Sequence, residues 1–560
     1  MIPFSPDLHA YVAVHAPAVA TGAVDYDRLL RDYDAHMDFY DSRRHLATVP
    51  GPSLIETVRG RAGALADRGV GRGDRIVMVA ANTEEYVTTL LAVLLLGAVP
   101  CAVAAPPTPA REDSAGVQHL RAAITVVGPT LILGPSATVG SLPDPGLIDY
   151  GELADGPPLP DDGRPDPRPD EIHHVQLTSG STSAPKAVLL THGNVAHNLG
   201  VLARGMGVER GGGRMFSWLP LYHDMGLIQV LGGLVYGAPV ALMSPLGFLR
   251  DPLSWLRHMS SHGSTVTAGP TFAYRAVTEA VERSAGAVGD VDLTALRYVF
   301  VGAEPIDYRT LHEFTDCLGR WGLRRDALVP CYGMAESVLA TTLALRAAPE
   351  GPGNFGRVCI AHAEDGDQPL VSCGPPVDGL RVSVVDSAGV EANPGVVGDI
   401  RISGPSVMAG YRQADGTVSS PPDGWHDTGD RGFLRAGELF VVGRSKEMLI
   451  VRGRNFPPYD VERVIGDLPQ VGQGQSVVFS VPDQGRGRER IVAVVGIGAA
   501  DAEEQQRIRS QAAAQVRQTF GFSLDEVVLV ARRAIPRTTS GKIQRLSVRR
   551  RYSSGVIDAV

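Results

Sequence analysis

Between residues 50 and 105 the apolar positions switch repeatedly between two periods. Leu54, Val58, Ala62 and Leu65 share one face at helical spacing, with Ser53 placed to cap the helix and Gly69 to end it. Arg75–Ala81 is an unbroken apolar run and reads as a strand. A second helix runs from Tyr86 to Leu96 and stops near Gly97, and Val99–Ala104 is another strand. Strands alternating with helices predict a parallel, doubly wound α/β sheet. Residues 1–50 show no clear period and read as an irregular segment packed on the main body. Gly156–Pro169, rich in Pro, Asp and Gly, reads as a linker. Further strands are expected at Phe216–Leu219 and Tyr298–Val301, and Thr191-His192-Gly193-Asn194 introduces a helix. Val371–Ser403 breaks into short strands, the mark of a β-rich subdomain. The end of the chain reads as a small α+β unit, with strands at Val477–Val481, Ile491–Ile497 and Val527–Val530 and a helix over Ala502–Phe520.

Composition narrows the class. At 560 residues the chain exceeds a single core. Its net charge of −9 is spread without long runs, and the one basic cluster, Arg549-Arg550-Arg551, reads as a solvated helix end. No nucleic-acid partner is expected. The start MIPFSPDLHAY lacks the basic and apolar regions of a secretory signal. The most apolar segment, Leu90–Ala105, is broken by Gly97 and Pro100 and is too short for a membrane span. The five cysteines lie far apart with no C-x-x-C pair, so they indicate neither a zinc site nor a disulfide framework. A reducing, cytoplasmic location is the expectation.

Candidate chemistry starts at Val175–Asn194, VQLTSGSTSAPKAVLLTHGN. An apolar run enters the hydroxyl-rich loop Thr178, Ser179, Gly180, Ser181, Thr182, Ser183, and a second run leaves after Pro185 and Lys186. Such a loop offers many N–H and hydroxyl donors to a polyanion, with one compact ammonium. It is not a G-x-x-x-x-G-K-S/T loop, and a Ser/Thr-rich hairpin turn is the simpler alternative. The chain has only three lysines, Lys186, Lys446 and Lys542, and each falls in a candidate motif.

The loop resembles the phosphate loop, T-S-G-[ST]-T-G-x-P-K-G, of the adenylate-forming superfamily of acyl-CoA synthetases, fatty acyl-AMP ligases and peptide-synthetase adenylation domains. WLPLYHDMGLI at 218–228 and MLIVRGRNFPPYDVE at 448–462 are similar to fatty acyl-AMP ligase segments. The resemblance runs from about residue 50 to 552. It implies a large N-terminal AMP- and acyl-binding domain (1–445) and a small mobile domain (446–560). By the same resemblance, His223 orients the acyl carboxylate, with Tyr222 and Phe272 as acyl-pocket walls. Gly302-Ala303-Glu304-Pro305 lies along the adenine. In Tyr332-Gly333-Met334-Ala335-Glu336 the ring stacks on the purine and Glu336 holds Mg²⁺. Asp430, closing Asp427-Thr428-Gly429-Asp430, accepts from the ribose hydroxyls. Arg444 contacts ribose or phosphate, Lys446 is the domain hinge, and Gly453 lets a pantetheine arm pass. Lys542, in Thr539-Ser540-Gly541-Lys542, bridges the carboxylate and α-phosphate.

The implied reaction has two steps. A carboxylate attacks the α-phosphate of ATP to give acyl-AMP and pyrophosphate. A thiol, from CoA or the phosphopantetheine of an acyl carrier protein, then displaces AMP. Ala335 leans toward the fatty acyl-AMP ligase branch, whereas the modest connection at 348–370 leans toward CoA. Ser183 and Ala187 stand where the superfamily has glycine. A residue forced into a left-handed conformation costs roughly 1–2 kcal/mol, and the Ala187 methyl can obstruct a close phosphate. Two alternatives follow: an enzyme that makes only the thioester, from acyl-AMP supplied by a separate adenylating enzyme, and a nucleotide-binding regulator without turnover.

Overall fold

Helix Glu84–Leu95 shows how the layers are built. Tyr86–Leu95 is apolar or threonine on every side and is buried on every side, the pattern of a helix enclosed between layers. The Thr83 side chain accepts from the Tyr86 N–H and fixes where it begins. In the computed structural model, which describes residues 4–106, 114–139, 147–154, 156–160, 166–178, 185–286, 288–362, 369–451, 454–482, 489–537, 543–558 and 560, this helix packs against helix Gly51–Asp67.

Two eight-stranded sheets carry the large domain. The first runs, in spatial order, Ala340–Leu343, Leu328–Gly333, Tyr298–Val301, Val266–Gly269, Met215–Ser217, Val240–Met243, His36–Tyr40, His45–Pro50. Its inner pairs are parallel and its two outermost pairs antiparallel. The second runs Val418–Ser419, Gly410–Arg412, Lys186–Thr191, Ile172–Thr178, Val99–Val103, Arg75–Val79, Leu131–Gly134, Leu147–Asp149. The expected doubly wound α/β architecture is present, as two mixed sheets and not one parallel sheet. The reason is local: Ile172–Thr178 returns as a tight antiparallel hairpin with Lys186–Thr191, whereas a parallel partner needs a long crossover.

Residues 4–50 carry regular elements, contrary to the irregular reading. They form helices Pro6–His15 and Tyr26–Asp32 and the strands His36–Tyr40 and His45–Pro50, the first of which pairs in parallel with Val240–Met243. A buried aspartate, Asp38, in the middle of His36–Tyr40 breaks the apolar run by which the strand would be recognised. The helix placed from Ser53 begins at Gly51, with Pro52 in its first turn, where a missing N–H costs nothing. Of the expected linker at 156–169, the stretch 156–160 is strapped onto that helix. The Leu159 N–H donates to the Arg59 carbonyl at 3.0 Å. A Cβ on Gly63 would lie 1.7 Å from the Pro157 oxygen.

A four-stranded antiparallel sheet, Arg381–Val385, Gly398–Ser403, His426–Arg435 and Glu438–Arg444, forms the β-rich region. The smaller C-terminal domain has its own core. Its strands Ser476–Pro482, Glu489–Ile497 and Glu526–Ala531 present Val478, Ala493 and Val495 to helices Pro458–Gly466 and Ala502–Phe520. Their neighbours Val477, Phe479, Val492 and Val494 turn to the other face, against Val548 of helix Arg545–Ser553, as the strand period of two requires. No described helix is long and apolar enough to cross a membrane.

Candidate active site

Gln176 ties the two large sheets together at the site. Its side-chain amide, on strand Ile172–Thr178, donates at 2.7 Å to the carbonyl of Tyr222, which follows a strand of the other sheet. Between the sheets, and reaching under the small domain, lies a cleft of about 1420 Å³. Thr178, Lys186, Tyr222, His223, Phe272, Ala303, Glu304, Tyr332, Gly333, Met334, Glu336, Asp430, Arg444 and Lys446 all line it. Gly302 is not among the lining residues, but its place beside the cleft is forced. A Cβ there would meet Cys331 Sγ at 2.9 Å. Ser179, Gly180, Ser181, Thr182, Ser183, Gly453 and Lys542 lie outside the described residues. The loop ends are described: Thr178 and Lys186 are cross-strand partners. Arg537 and Ile543 form an antiparallel bridge, and both line the cleft.

At one end stands a cluster around Tyr411. The Lys186 ammonium lies 4.7 Å from the Tyr411 ring centre, and the Tyr411 hydroxyl donates to Glu336 Oε1 at 2.7 Å. His426 is 6.2 Å from the same ring, edge on. Burial pushes its imidazole pKa down, against the pull of Glu336 and Asp427. A glutamate at the start of a helix can instead serve only as a partner of the helix dipole. Glu336 sits in a single 3₁₀ turn, Ala335–Ser337, too short for that role. Buried Asn198 clamps the segment that carries it. Its Nδ2 donates to the carbonyls of Ser337 and Ala340, and its Oδ1 accepts from the Ala340 N–H at 3.1 Å. Val338 in this segment has φ of 68°, a conformation rarely adopted by a β-branched residue. Such strain persists only where its surroundings enforce it.

A second polar cluster is centred on Asp430. Asp427-Thr428-Gly429-Asp430 lies in a β-bulge inside strand His426–Arg435: Arg401 pairs with Asp427 and Asp399 with Arg431, leaving extra residues on one side. Gly429 supplies the left-handed conformation the bulge needs, with φ of 74°. The bulge aims Asp430 across its strand at Arg444, its register partner. Asp430 Oδ1 lies 3.3 Å from Arg444 Nε. Oδ2 accepts from the Tyr332 hydroxyl at 2.8 Å. Burial raises the Asp430 pKa, and Arg444 and Tyr332 oppose that rise.

The third part is apolar. Helices His192–Met206 and Asp224–Val235 line it with Leu199, Ala203, Met206, Ile228 and Gly232. His223 is the N-cap residue of the second helix, with its ring 4.7 Å from that of Tyr222. Phe272 meets Trp218 edge to face at 6.1 Å. Glu304 accepts from the Phe272 N–H at the start of helix Thr271–Arg283. Ala303, in the preceding turn, is held at φ of 66°.

Ala187 corrects one expectation. It is fully buried and packs with Val175, Leu177 and Leu189 in an apolar cluster. Its methyl faces that cluster, so it does not narrow the cleft. Several residues escaped the sequence reading: Gln176, Asn198, Tyr411 and His426, and also Arg545. Burial notwithstanding, the Arg545 guanidinium stays charged, held by Glu462 at 2.8 Å and by Glu447 beside Lys446. Only the i, i+4 spacing of Asn194 and Asn198 gave a signal; Asn194 binds the carbonyls of Pro405 and Val407, which lead to Tyr411.

Comparisons with known proteins agree with this arrangement. The model of the family described as "AMP-binding enzyme" matches residues 53–412. The chain is 30% identical over 514 residues to the long-chain-fatty-acid–AMP ligase FadD23 of Mycobacterium tuberculosis, covering 84% of this chain and 85% of that one. It is 32% identical over 420 residues to the medium-chain-fatty-acid–[acyl-carrier-protein] ligase JamA of Moorena producens, covering 70% of each. A solved structure from a study of fatty acyl-adenylate ligases of E. coli and L. pneumophila superposes with a TM-score of 0.83 at 28% identity, covering 95% of this chain and 97% of that one. The chain belongs to the AMP-binding enzyme family.

Proposed function

We propose that this protein is an acyl-adenylate-forming ligase acting on an apolar carboxylic acid, and that it passes the acyl group to a thiol. The observation that carries the proposal is the joining, in one cleft, of an apolar arm, an acid–arginine pair and a lysine–glutamate cluster. An acyl chain fills the arm between the two helices, with Tyr222 and Phe272 at its wall and His223 orienting the carboxylate. Tyr332 and the 302–305 turn take the adenine, and Asp430 and Arg444 take the ribose. Thr178, the 179–182 loop and Lys186 hold the phosphates. Glu336 offers the hard oxygen ligand that Mg²⁺ prefers, and the ion would neutralise phosphate charge. Lys542 bridges the carboxylate and α-phosphate as the adenylate forms. A donor of that kind contributes about 10²–10³ in rate.

The small domain, 446–560, turns about Lys446 between the two steps, exchanging Lys542 for the Gly453 segment. Lys446 is exposed in a 3₁₀ turn between a strand of the β-rich sheet and the small domain's core, which suits a hinge. The acceptor is CoA or a phosphopantetheinyl carrier protein; the similarity to JamA, an acyl-carrier-protein ligase, favours the carrier. The second reading, thioester formation alone from supplied acyl-AMP, loses the support that Ala187 gave it.

The test is acyl-AMP formation from Mg-ATP and a panel of fatty acids, followed by mass spectrometry, with Asp430→Ala alongside the wild type. The proposal expects acyl-AMP from the wild type and an ATP KM raised at least about tenfold in the variant, the loss of a charge-assisted hydrogen bond of about 1.5–3 kcal/mol. An Asp430→Ala enzyme with unchanged KM for ATP would remove the ribose assignment.

A further inference from the structure

At the far edge of the first sheet, three imidazoles converge on one buried carboxylate. His36 and Asp38 are two apart on strand His36–Tyr40 and so project from one face. Thr48 pairs with Asp38 across the hairpin, and His45 pairs with Tyr40. His262 is the last residue of helix Leu253–His262. All three histidines present Nε2 to Asp38. His36 Nε2 lies 3.4 Å from Oδ2, His45 Nε2 3.1 Å from Oδ1, and His262 Nε2 3.8 Å from Oδ2. None of these residues lines the cleft.

We propose that His36, Asp38 and His262 form a structural binding site for a divalent transition-metal ion, with Zn²⁺ as the best fit.

Three observations support it. The first is spacing. Zn–N and Zn–O bonds of about 2.0–2.2 Å at tetrahedral angles place neighbouring ligand atoms about 3.3 Å apart, close to the 3.4 and 3.8 Å that separate His36 and His262 Nε2 from Asp38 Oδ2. The ligand atoms of His36, Asp38 and His262 all lie within 4.8 Å of one another. The second is an unmet need. The His262 side chain is fully buried, and its Nε2 has no hydrogen-bond partner among the described residues. Its Nδ1 is 3.0 Å from Ser264 Oγ, the type of outer contact that fixes the ring of a metal-bound histidine. Thr48 Oγ1 donates to Asp38 Oδ1 and lies 3.0 Å from His45 Nε2. The third is donor type. Imidazole nitrogens with one carboxylate suit Zn²⁺ and neighbouring transition ions, whereas Mg²⁺ and Ca²⁺ prefer oxygen. Arg214, a nearby cation, donates to the His262 carbonyl at 2.6 Å.

Bound there, the ion would pin the outer hairpin 36–50 to the end of helix Leu253–His262. It would stabilise the fold and leave the chemistry of the cleft alone. The alternative is that the histidines only hydrogen-bond Asp38, with no metal.

The experiment uses the full chain without a histidine tag. Metal is stripped by a chelator, Zn²⁺ is returned, and content is read by mass spectrometry after dialysis against metal-free buffer. About one zinc per chain is expected, with Tm raised by about 2 °C or more at saturating metal. His262→Gln should abolish retention. If His262→Gln does not fold, the His36→Gln variant should weaken Zn²⁺ binding by more than the roughly 10–100-fold typical of outer-contact changes. A wild-type chain that retains no zinc and shows no Zn²⁺-dependent Tm shift overturns the proposal, as do variants that bind it as tightly as the wild type.

Discussion

Tyr332 meets the cleft in two ways, and they can be separated by substitution. Its hydroxyl donates to Asp430 at 2.8 Å, while its ring is the proposed purine platform. Tyr332→Phe keeps the ring and should raise the ATP KM only a few-fold, the scale of one net hydrogen bond of about 1 kcal/mol. Tyr332→Ala removes the platform and should cost about 1–3 kcal/mol of nucleotide binding; equal KM values for the two variants would discard the stacking role. Gly232 makes the matching case for the acyl arm. A Cβ there would stand 3.6 Å from Leu199, ordinary contact, so a larger side chain fits the helix but fills the arm. Gly232→Leu should lower kcat/KM for long-chain acids by about tenfold or more and spare short ones, as competition between acids of different length would reveal. Titration is also a matter of single residues. Burial lowers the His174 pKa to about 3 and that of His192 to about 4, from 6.5. The unfolded chain therefore takes up protons below pH 6.5 that these rings refuse. Stability should fall as pH drops from 6.5 toward 4, and the sign follows from the depressed folded pKa of a base. His192→Gln should flatten that acid limb by about 2–3 kcal/mol, measured by denaturant midpoints against pH.

Helix Gly51–Asp67 carries two glycines that differ in what surrounds them. A Cβ on Gly63 would strike the Pro157 oxygen at 1.7 Å, whereas on Gly60 it would lie 3.3 Å from the Gly156 oxygen. Gly63→Ala should destabilise by about 1–3 kcal/mol through overpacking. Gly60→Ala should be near neutral, since the helix gains about 1 kcal/mol from alanine; thermal denaturation of both variants distinguishes them. Elements like this helix were legible because their burial follows a simple period. The strand Tyr298–Val301 and the helix Ala502–Phe520 lie where the sequence placed them. Strand His36–Tyr40 was not legible, because Asp38 is buried there on the strength of histidines that the apolar pattern cannot foresee. The bulge at 427–430 was not legible for a similar reason, since strand pairing to Gly398–Ser403 is decided at a distance. The cleft was readable where residues sit in short motifs, as with Lys186, Tyr332, Glu336 and Asp430. Tyr411 and Gln176 come to it through tertiary contacts from isolated positions, and one sequence gives no sign of that.

The two domains meet around the mouth of the cleft. Arg309 of the large domain lies 3.6 Å from Asp467 of the small one. Arg545 joins Glu462 to Glu447, so the segment following Lys542 is fastened to the turn that contains Lys446. Breaking a buried pair of this kind costs about 3–5 kcal/mol. Arg545→Met should therefore unfold the small domain earlier than the large one, splitting a calorimetric transition. The same variant should slow both half-reactions, because both depend on where the small domain sits. The most direct test of the account measures those half-reactions side by side. The wild-type chain is incubated with Mg-ATP and fatty acids, following pyrophosphate and acyl-AMP. In parallel it receives synthetic acyl-AMP with CoA or a phosphopantetheinyl carrier protein. The account predicts pyrophosphate and acyl-AMP in equal amounts in the first reaction and a thioester in the second. Thioester from supplied acyl-AMP with no pyrophosphate from ATP would contradict it, and would mean that the adenylate is made by another enzyme.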